Sequence, residues 1–199
     1  MKNTFRILGI AMLVFTMSFT SFNDKKIIVI DAGHGGKDHG AKFENHIEKD
    51  IAEAISKKIQ ALDNSEDIEI TLLRDTDEFK TLQERVDAIN NLNADLVISL
   101  HVNQNSNNSV TGIEAFVSED NAKFDVSKTH AAELLSSLST ETLKSRGVKL
   151  APFFILKKSN SPAVTLELGF LSNANDRNYI TSEYGQNEIA SKIFNYVSK

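Results

Sequence analysis

The sequence predicts a single α/β domain: a mostly parallel open sheet with helices on both faces. Three observations carry this. Short apolar runs such as Ile27–Ile30 read as strands buried on both faces. Stretches with apolar residues every three or four positions lie between them and read as helices. The two kinds alternate along the chain, and the only prolines are Pro152 and Pro162, so no Pro-rich or Gly-rich linker divides it.

Taken in order, the first strand breaks at once into Gly33, Gly35 and Gly36 around His34. Glycines there let the backbone turn sharply and approach another group. Ile47, Ile51, Ile55, Ile59 and Leu62 mark one helical face, with Glu48 in its first turn. Asp67–Leu73 alternates like a strand, and Arg74–Asp77 turns the chain. Thr81 and Glu84 form a capping box before a helix striped by Leu82, Val86, Ile89 and Leu92. Asp95–Leu100 is a buried strand that ends on His101, followed by a loop of Asn, Gln and Ser. Gly112–Val117 reads as a short strand. Ser127–Lys144 reads as a helix with Ala131, Leu134, Leu135 and Leu138 inside and Gly147 closing it. Phe153–Leu156 and Ala163–Leu168 read as strands, the second with Glu167 at its carboxyl end. Ser172–Ile180 suggests a short helix, and Ile189, Ile193 and Val197 a last one.

The N-terminus is of another kind. Lys2 and Arg6 flank an apolar block, Ile7–Phe19, followed by Thr20 and Ser21, the order of a secretory signal and too short for a comfortable membrane span. Residues 1–22 are therefore expected to be a signal peptide and residues 23–199 the domain. Removing 1–22 takes away Lys2 and Arg6, leaving 20 basic against 27 acidic residues, a net charge of −7, which argues against nucleic acid as a partner. The absence of cysteine excludes disulfides, thiolate metal sites and a Cys nucleophile.

Three of these strands end on residues able to bind a ligand: His34, His101 and Glu167. Strand ends on one edge of a parallel sheet open onto one crevice. Glu48 opens a helix just after the first loop. Two imidazoles and one carboxylate make the protein ligand set of a catalytic zinc site with an open position. A free carboxylate, Glu167, then remains for general acid–base work. Taken alone, a lone His after a strand is more often structural, but His34 among three glycines is better explained by function; His101 alone is evenly balanced, and Glu48 alone would be a solvated helix residue. The unpaired Glu167 in an apolar strand calls for a function or a salt bridge. Glu44, His39 and His46 are rival ligands by composition, with His46 expected to face solvent. Arg74 and Asp77 are expected to form an ion pair or a turn.

The segments IVIDAGHGGKDHGA, IEKDIAEAI, TLLRDTD, ERVDAIN, DLVISLHVN, GVKLAPFFIL and PAVTLELGFLSN resemble, in this order, the zinc-dependent N-acetylmuramoyl-L-alanine amidases. The resemblance covers essentially all of residues 26–199. It implies an α/β cell-wall hydrolase with zinc held by His34, Glu48 and His101, and with Glu167 catalytic; this favours Glu48 over Glu44. Ala32 and His39 stand where many relatives have Pro, and the stretch from Ala41 to Glu48 lacks the Asn-Gly turn common there. No separate wall-binding module is read in this stretch.

The implied reaction cuts the amide between the lactyl group of muramic acid and L-alanine in peptidoglycan. The alternatives are another zinc peptidase or deacylase with the same triad, or an inactive wall-binding relative. The protein is expected to be exported, to the periplasm or beyond, with no stable membrane association after cleavage, and to be monomeric. Some relatives carry an insertion before the catalytic Glu whose helix blocks the zinc. Here 66 positions separate His101 from Glu167, and the elements above use most of them. No activator protein is therefore expected, and His130 and Glu133 on the intervening helix are expected to face solvent.

Overall fold

The apolar run after Lys26 forms a strand with neighbours on both sides, and the sheet grows outward from it. The computed structural model describes residues 25–199. In chain order the elements are β1 (Lys26–Ala32), β2 (Lys42–Phe43), β3 (His46–Ile47), α1 (Glu48–Ala61), β4 (Ile68–Leu72), α2 (Leu82–Leu92) and β5 (Leu96–Asn103). They continue with β6 (Ile113–Val117), α3 (Phe124–Leu138), β7 (Ser145–Leu150), α4 (Phe154–Lys158), β8 (Ala163–Phe170), α5 (Ala174–Ile180) and α6 (Glu183–Val197). The signal expected at residues 1–22 lies outside the described residues. Among those described, no helix is long and apolar enough to cross a membrane.

The main sheet has six strands in the order β4-β1-β5-β8-β6-β7. Strands β4, β1, β5 and β8 run parallel, β6 pairs with β8 antiparallel, and β7 follows β6 in parallel. The carboxyl ends of β1, β5 and β8 therefore share one edge. The alternation of the pleat sorts the strand residues onto two faces. Ile28, Ile30, Ile98, Leu100, Val164, Leu166, Ile113 and Ala115 form a large core with apolar residues of α1, α3 and α6. Val29, Val97 and Ala163 point the other way, against Val86 and Ile89 of α2 and Ile155 and Leu156 of α4. The second cover is small, because α2 has 11 residues and α4 only 5. Farther along the same strands this face stays open over Ser99, His101, Thr165 and Glu167, which line a cleft of about 490 Å³.

Several expectations change. The helix expected over Ser127–Lys144 runs from Phe124 to Leu138. It stops where Ser139 turns extended and Thr140 takes over the hydrogen bonding, its hydroxyl accepting from the Leu143 amide at 2.9 Å. Gly147 does not close that helix; it lies in β7 at φ 85°, where the β6–β7 register slips. Phe153–Leu156 is not a strand. Phe153 caps the short helix α4, whose Ile155 and Leu156 are buried. A four-residue apolar run carries no period that separates the two. Strands β5 and β8 also run past His101 and Glu167, to Asn103 and Phe170.

Candidate metal centre

His34 is placed by its backbone. It has φ 60°, a left-handed conformation uncommon for a residue with a side chain. Such a residue persists only where its surroundings over-determine it, and two buried arginines do so. Arg74 donates to the Ala32 carbonyl (3.0 Å), the Gly33 carbonyl (3.0 Å) and the Lys49 carbonyl (2.9 Å), and pairs with Glu53 at 2.6 Å. Arg85 donates to the Ala32 carbonyl (2.9 Å) and to the His34 carbonyl, and pairs with buried Asp31. The loop is pinned again where the Gly36 amide donates to Asp77 (2.7 Å) and Lys49 bridges Asp77 (2.6 Å) and the Gly36 carbonyl (2.9 Å). Arg74 and Asp77 are thus both structural: of the ion pair or turn expected of them, the chain bends at residues 75–77 and each side chain takes another partner.

Two glycines of this region are needed for close approach. A Cβ on Gly33 would overlap the His101 ring. A Cβ on Gly40 would overlap both Glu48 Oε2 and the His34 ring, and Gly40 has φ 63° besides.

Glu48 is the first residue of α1 and is buried, 5% exposed. The β2–β3 hairpin delivers it, with Glu44 at φ 54° making the turn. Backbone amides hold both of its oxygens: Ala41 donates to Oε2 (2.7 Å) and Val102 to Oε1 (3.1 Å). His34 Nε2 lies 3.1 Å and His101 Nδ1 2.8 Å from the same Oε1. One donor atom from each of His34, Glu48 and His101 lies within 4.8 Å of the other two, a grouping that could hold a metal ion. The other ring nitrogen of His34, Nδ1, is 2.9 Å from Asp38 Oδ2, which fixes the ring and leaves Nε2 facing the centre.

Burial lowers the His34 pKa, but the hydrogen bonds and charges of Glu48 and Asp38 outweigh it and bring it to about 9. Burial likewise works against the ionised Glu48, yet His101, His34 and the Ala41 amide hold its carboxyl well below the usual carboxylate range. Glu167 is the opposite case. It is the register partner of His101 on the neighbouring strand. Burial pushes it up to about 7, against the pull of His101 and helped by the Glu48 and Glu114 charges. Its Oε2 is buried with no hydrogen-bond partner among the described residues.

The rival ligands lie apart from this group. Glu44 is exposed, 3.5 Å from Arg177. His39 and His46 are half-buried and outside the cluster; His46, expected in solvent, sits in the small hairpin. Glu133 is exposed as expected, but His130 is half-buried, its Nδ1 2.6 Å from the Tyr196 hydroxyl. Both residues line a recess with Lys26 and Leu96, the first residues of β1 and β5, and so lie at the far edge of the sheet from the metal group. Sequence reasoning missed Asp38 and Arg85, and it read Arg74 as structural without its grip on the glycine loop. The signal that could have found them is that Asp38, Arg74 and Arg85 all fall inside the segments that carry the resemblance.

A fold with a His–Glu–His group and a buried free carboxylate at the strand ends has the outline of a metal-dependent hydrolase. The family model described as N-acetylmuramoyl-L-alanine amidase matches residues 28–199, and the chain belongs to that family. Among relatives, it is 37% identical over 171 residues to the uncharacterized protein YqiI of Bacillus subtilis, covering 85% of this chain and 82% of that one. It is 32% identical to the N-acetylmuramoyl-L-alanine amidase LytC of the same organism, covering 83% of this chain but only 34% of LytC. Among solved structures, the N-acetylmuramoyl-L-alanine amidase of Clostridium difficile 630 superposes with a TM-score of 0.81 at 33% identity, covering 87% of this chain and 95% of that one. The CwlD amidase of Clostridioides difficile, solved in complex with the GerS lipoprotein, gives 0.78 at 31% identity, covering 87% and 99%.

Proposed function

We propose that this amidase hydrolyses the bond between the lactyl group of muramic acid and the L-alanine of the stem peptide, with zinc held by His34, Glu48 and His101 and with Glu167 as general base and acid. The observation that carries the reading is the unpartnered, buried Glu167 carboxylate beside three converging ligand atoms. Two imidazoles and one carboxylate suit zinc with a position left open. Zinc bound there would polarise the amide carbonyl and acidify the attacking water.

The chain's own residues do the rest. Asp38 and the two arginines hold His34 in register, and Glu48 is oriented by the Ala41 and Val102 amides. With a pKa raised to about 7, Glu167 can take a proton from water and return it to the departing nitrogen at neutral pH. Leu82, Phe153, Phe154 and Ile155 form the apolar wall of the cleft. An inactive wall-binding protein would have no use for Glu167. Another zinc peptidase or deacylase would share the centre and differ in substrate.

The expected setting is the cell envelope, with residues 1–22 as an export signal, residues 23–199 as the catalytic domain, and a monomer acting without an activator. Packing supports the last point: Ala131, Leu134, Leu135 and Leu138 of α3 are all nearly or fully buried, so α3 is committed to the core. The deciding experiment incubates the purified domain with peptidoglycan and zinc, with and without chelator, and measures newly released L-alanine amino termini. Release by the domain alone, abolished by chelator and restored by zinc, is expected. Cleavage elsewhere in the peptide points to the peptidase reading, binding without cleavage to the wall-binding reading, and activity only with an added protein to a required activator.

A further inference from the structure

Strand β6 carries a second buried carboxylate on the cleft face. Glu114 is 3% exposed and is the register partner of Glu167 across the antiparallel β6–β8 pair. Register partners share a face, so His101, Glu167 and Glu114 form one row across three strands. On the next strand, β7, Arg146 Nε and Lys149 Nζ both reach Glu114 Oε1, each at 2.5 Å. Two cations on one carboxylate leave a surplus positive charge, in a chain whose formal net charge is −5.

Neither cation is used up by that contact. Among the described residues Arg146 Nη2 meets no acceptor, and Lys149 Nζ, with three hydrogens to donate, meets only Glu114. Their side chains are 37% and 40% exposed. Lys149 Nζ stands 5.8 Å from the Phe116 ring centroid, and Phe116 packs on Phe153 at 5.3 Å, the residue that lines the cleft. Lys149 therefore borders the cleft on the β6–β7 side, and Arg146, whose guanidinium lies 5.4 Å from the Phe170 ring centroid, joins it through the shared Glu114 oxygen.

The geometry of proton delivery says which half of the substrate lies there. Glu167 is the carboxylate in the cleft outside the metal group, so the departing nitrogen must come within its reach. That puts the acyl half over β5 and β1 and the amine half over β8 and β6. Whatever follows L-alanine in the stem peptide then runs toward β7. Resting on the role proposed above for Glu167, we infer that Arg146 and Lys149 form a subsite for a free carboxylate on the stem peptide, on the amine side of the scissile bond. Charge-assisted contacts of this kind discriminate by about tenfold or more.

The test uses two muramoyl peptides that differ only in whether the residue after L-alanine carries a free carboxylate or a carboxamide. The wild-type chain is expected to favour the acid by about tenfold in kcat/KM. Lys149→Gln and Arg146→Gln should each shrink that ratio, the double variant should bring it to about one, and Lys149→Arg should keep it, since a cation is retained. A wild-type enzyme that cleaves both peptides equally would overturn the subsite while leaving the amidase reading intact, as would a double variant that keeps the ratio. Cleavage of neither peptide would overturn the amidase reading and the subsite with it. Should a variant fail to fold, the wild-type ratio alone decides.

Discussion

His101 and Glu167 are register partners on adjacent parallel strands, so the sheet itself sets a residue of the His–Glu–His group beside the buried, unpartnered carboxylate. The backbone pairing fixes their spacing, and Glu167 Oε2 has no hydrogen-bond partner among the described residues. A loop-borne carboxylate would need its own supports; Glu167 is held by the backbone ladder on both sides, with β5 on one flank and β6 on the other.

Glu167→Gln should keep the metal and lose turnover by about 10²–10⁴-fold, the usual contribution of general acid–base catalysis. Metal content by atomic absorption, set beside the rate of amine release, checks this. A variant that loses its metal in proportion would show Glu167 to be a ligand, and one with near-normal rate would show it to be structural.

Gly40→Ala should weaken metal binding by about 10–100-fold, comparable to the loss of a supporting contact at a metal site. The added methyl would collide with Glu48 and the His34 ring, and the φ of 63° adds strain. Competition against a zinc-binding dye measures the effect. Unchanged affinity would mean that the hairpin can shift without moving its ligands.

Metal affinity should rise with pH up to about 9. The His34 pKa is raised to about 9, so below that the metal must displace its proton. For the chelator-treated protein the sign is the reverse. The stabilisation from protonated His34 is complete below its unfolded value of about 6.5 and is lost as pH climbs through about 9. Glu167, raised from 4.5 to about 7, loses its native-state proton earlier and adds to the decline above 4.5. Melting temperature of the stripped protein should therefore fall between pH 5 and 9, and calorimetry in two buffers should show proton release on zinc binding. A flat melting profile with no proton release would contradict this.

Arg74→Met should destabilise the fold by about 3–5 kcal/mol, because it strands a paired carboxylate and several buried carbonyls. The Arg74 side chain is fully buried, with Glu53 as its ion-pair partner. Urea unfolding provides the number. A loss below about 1 kcal/mol would show that water can replace the guanidinium at the glycine loop.

What the sequence determined by itself is the part written in short-range pattern. Buried strands declare themselves as apolar runs, and α1, α2 and α6 by residues returning every three or four positions, because burial on one face or both demands those periods. The strand-end placement of His34, His101 and Glu167 follows from the same pattern, and the resemblance of the motifs singled out Glu48. The tertiary structure alone decided what depends on partners far along the chain. Strand β7 is an edge strand with exposed residues, so it has neither an apolar run nor alternation to reveal it. Phe153–Leu156 reads as a strand from its four residues but forms the start of a helix whose Ile155 and Leu156 pack with Val29, Val97 and Ala163, partners far along the chain. The grip of Arg74 and Arg85 on the His34 loop spans 41 and 51 positions, and the Glu114–Glu167 row exists only once β6 lies beside β8. Hydrogen bonds and ion pairs at such separations leave no period in a sequence, because what sets them is which strands become neighbours.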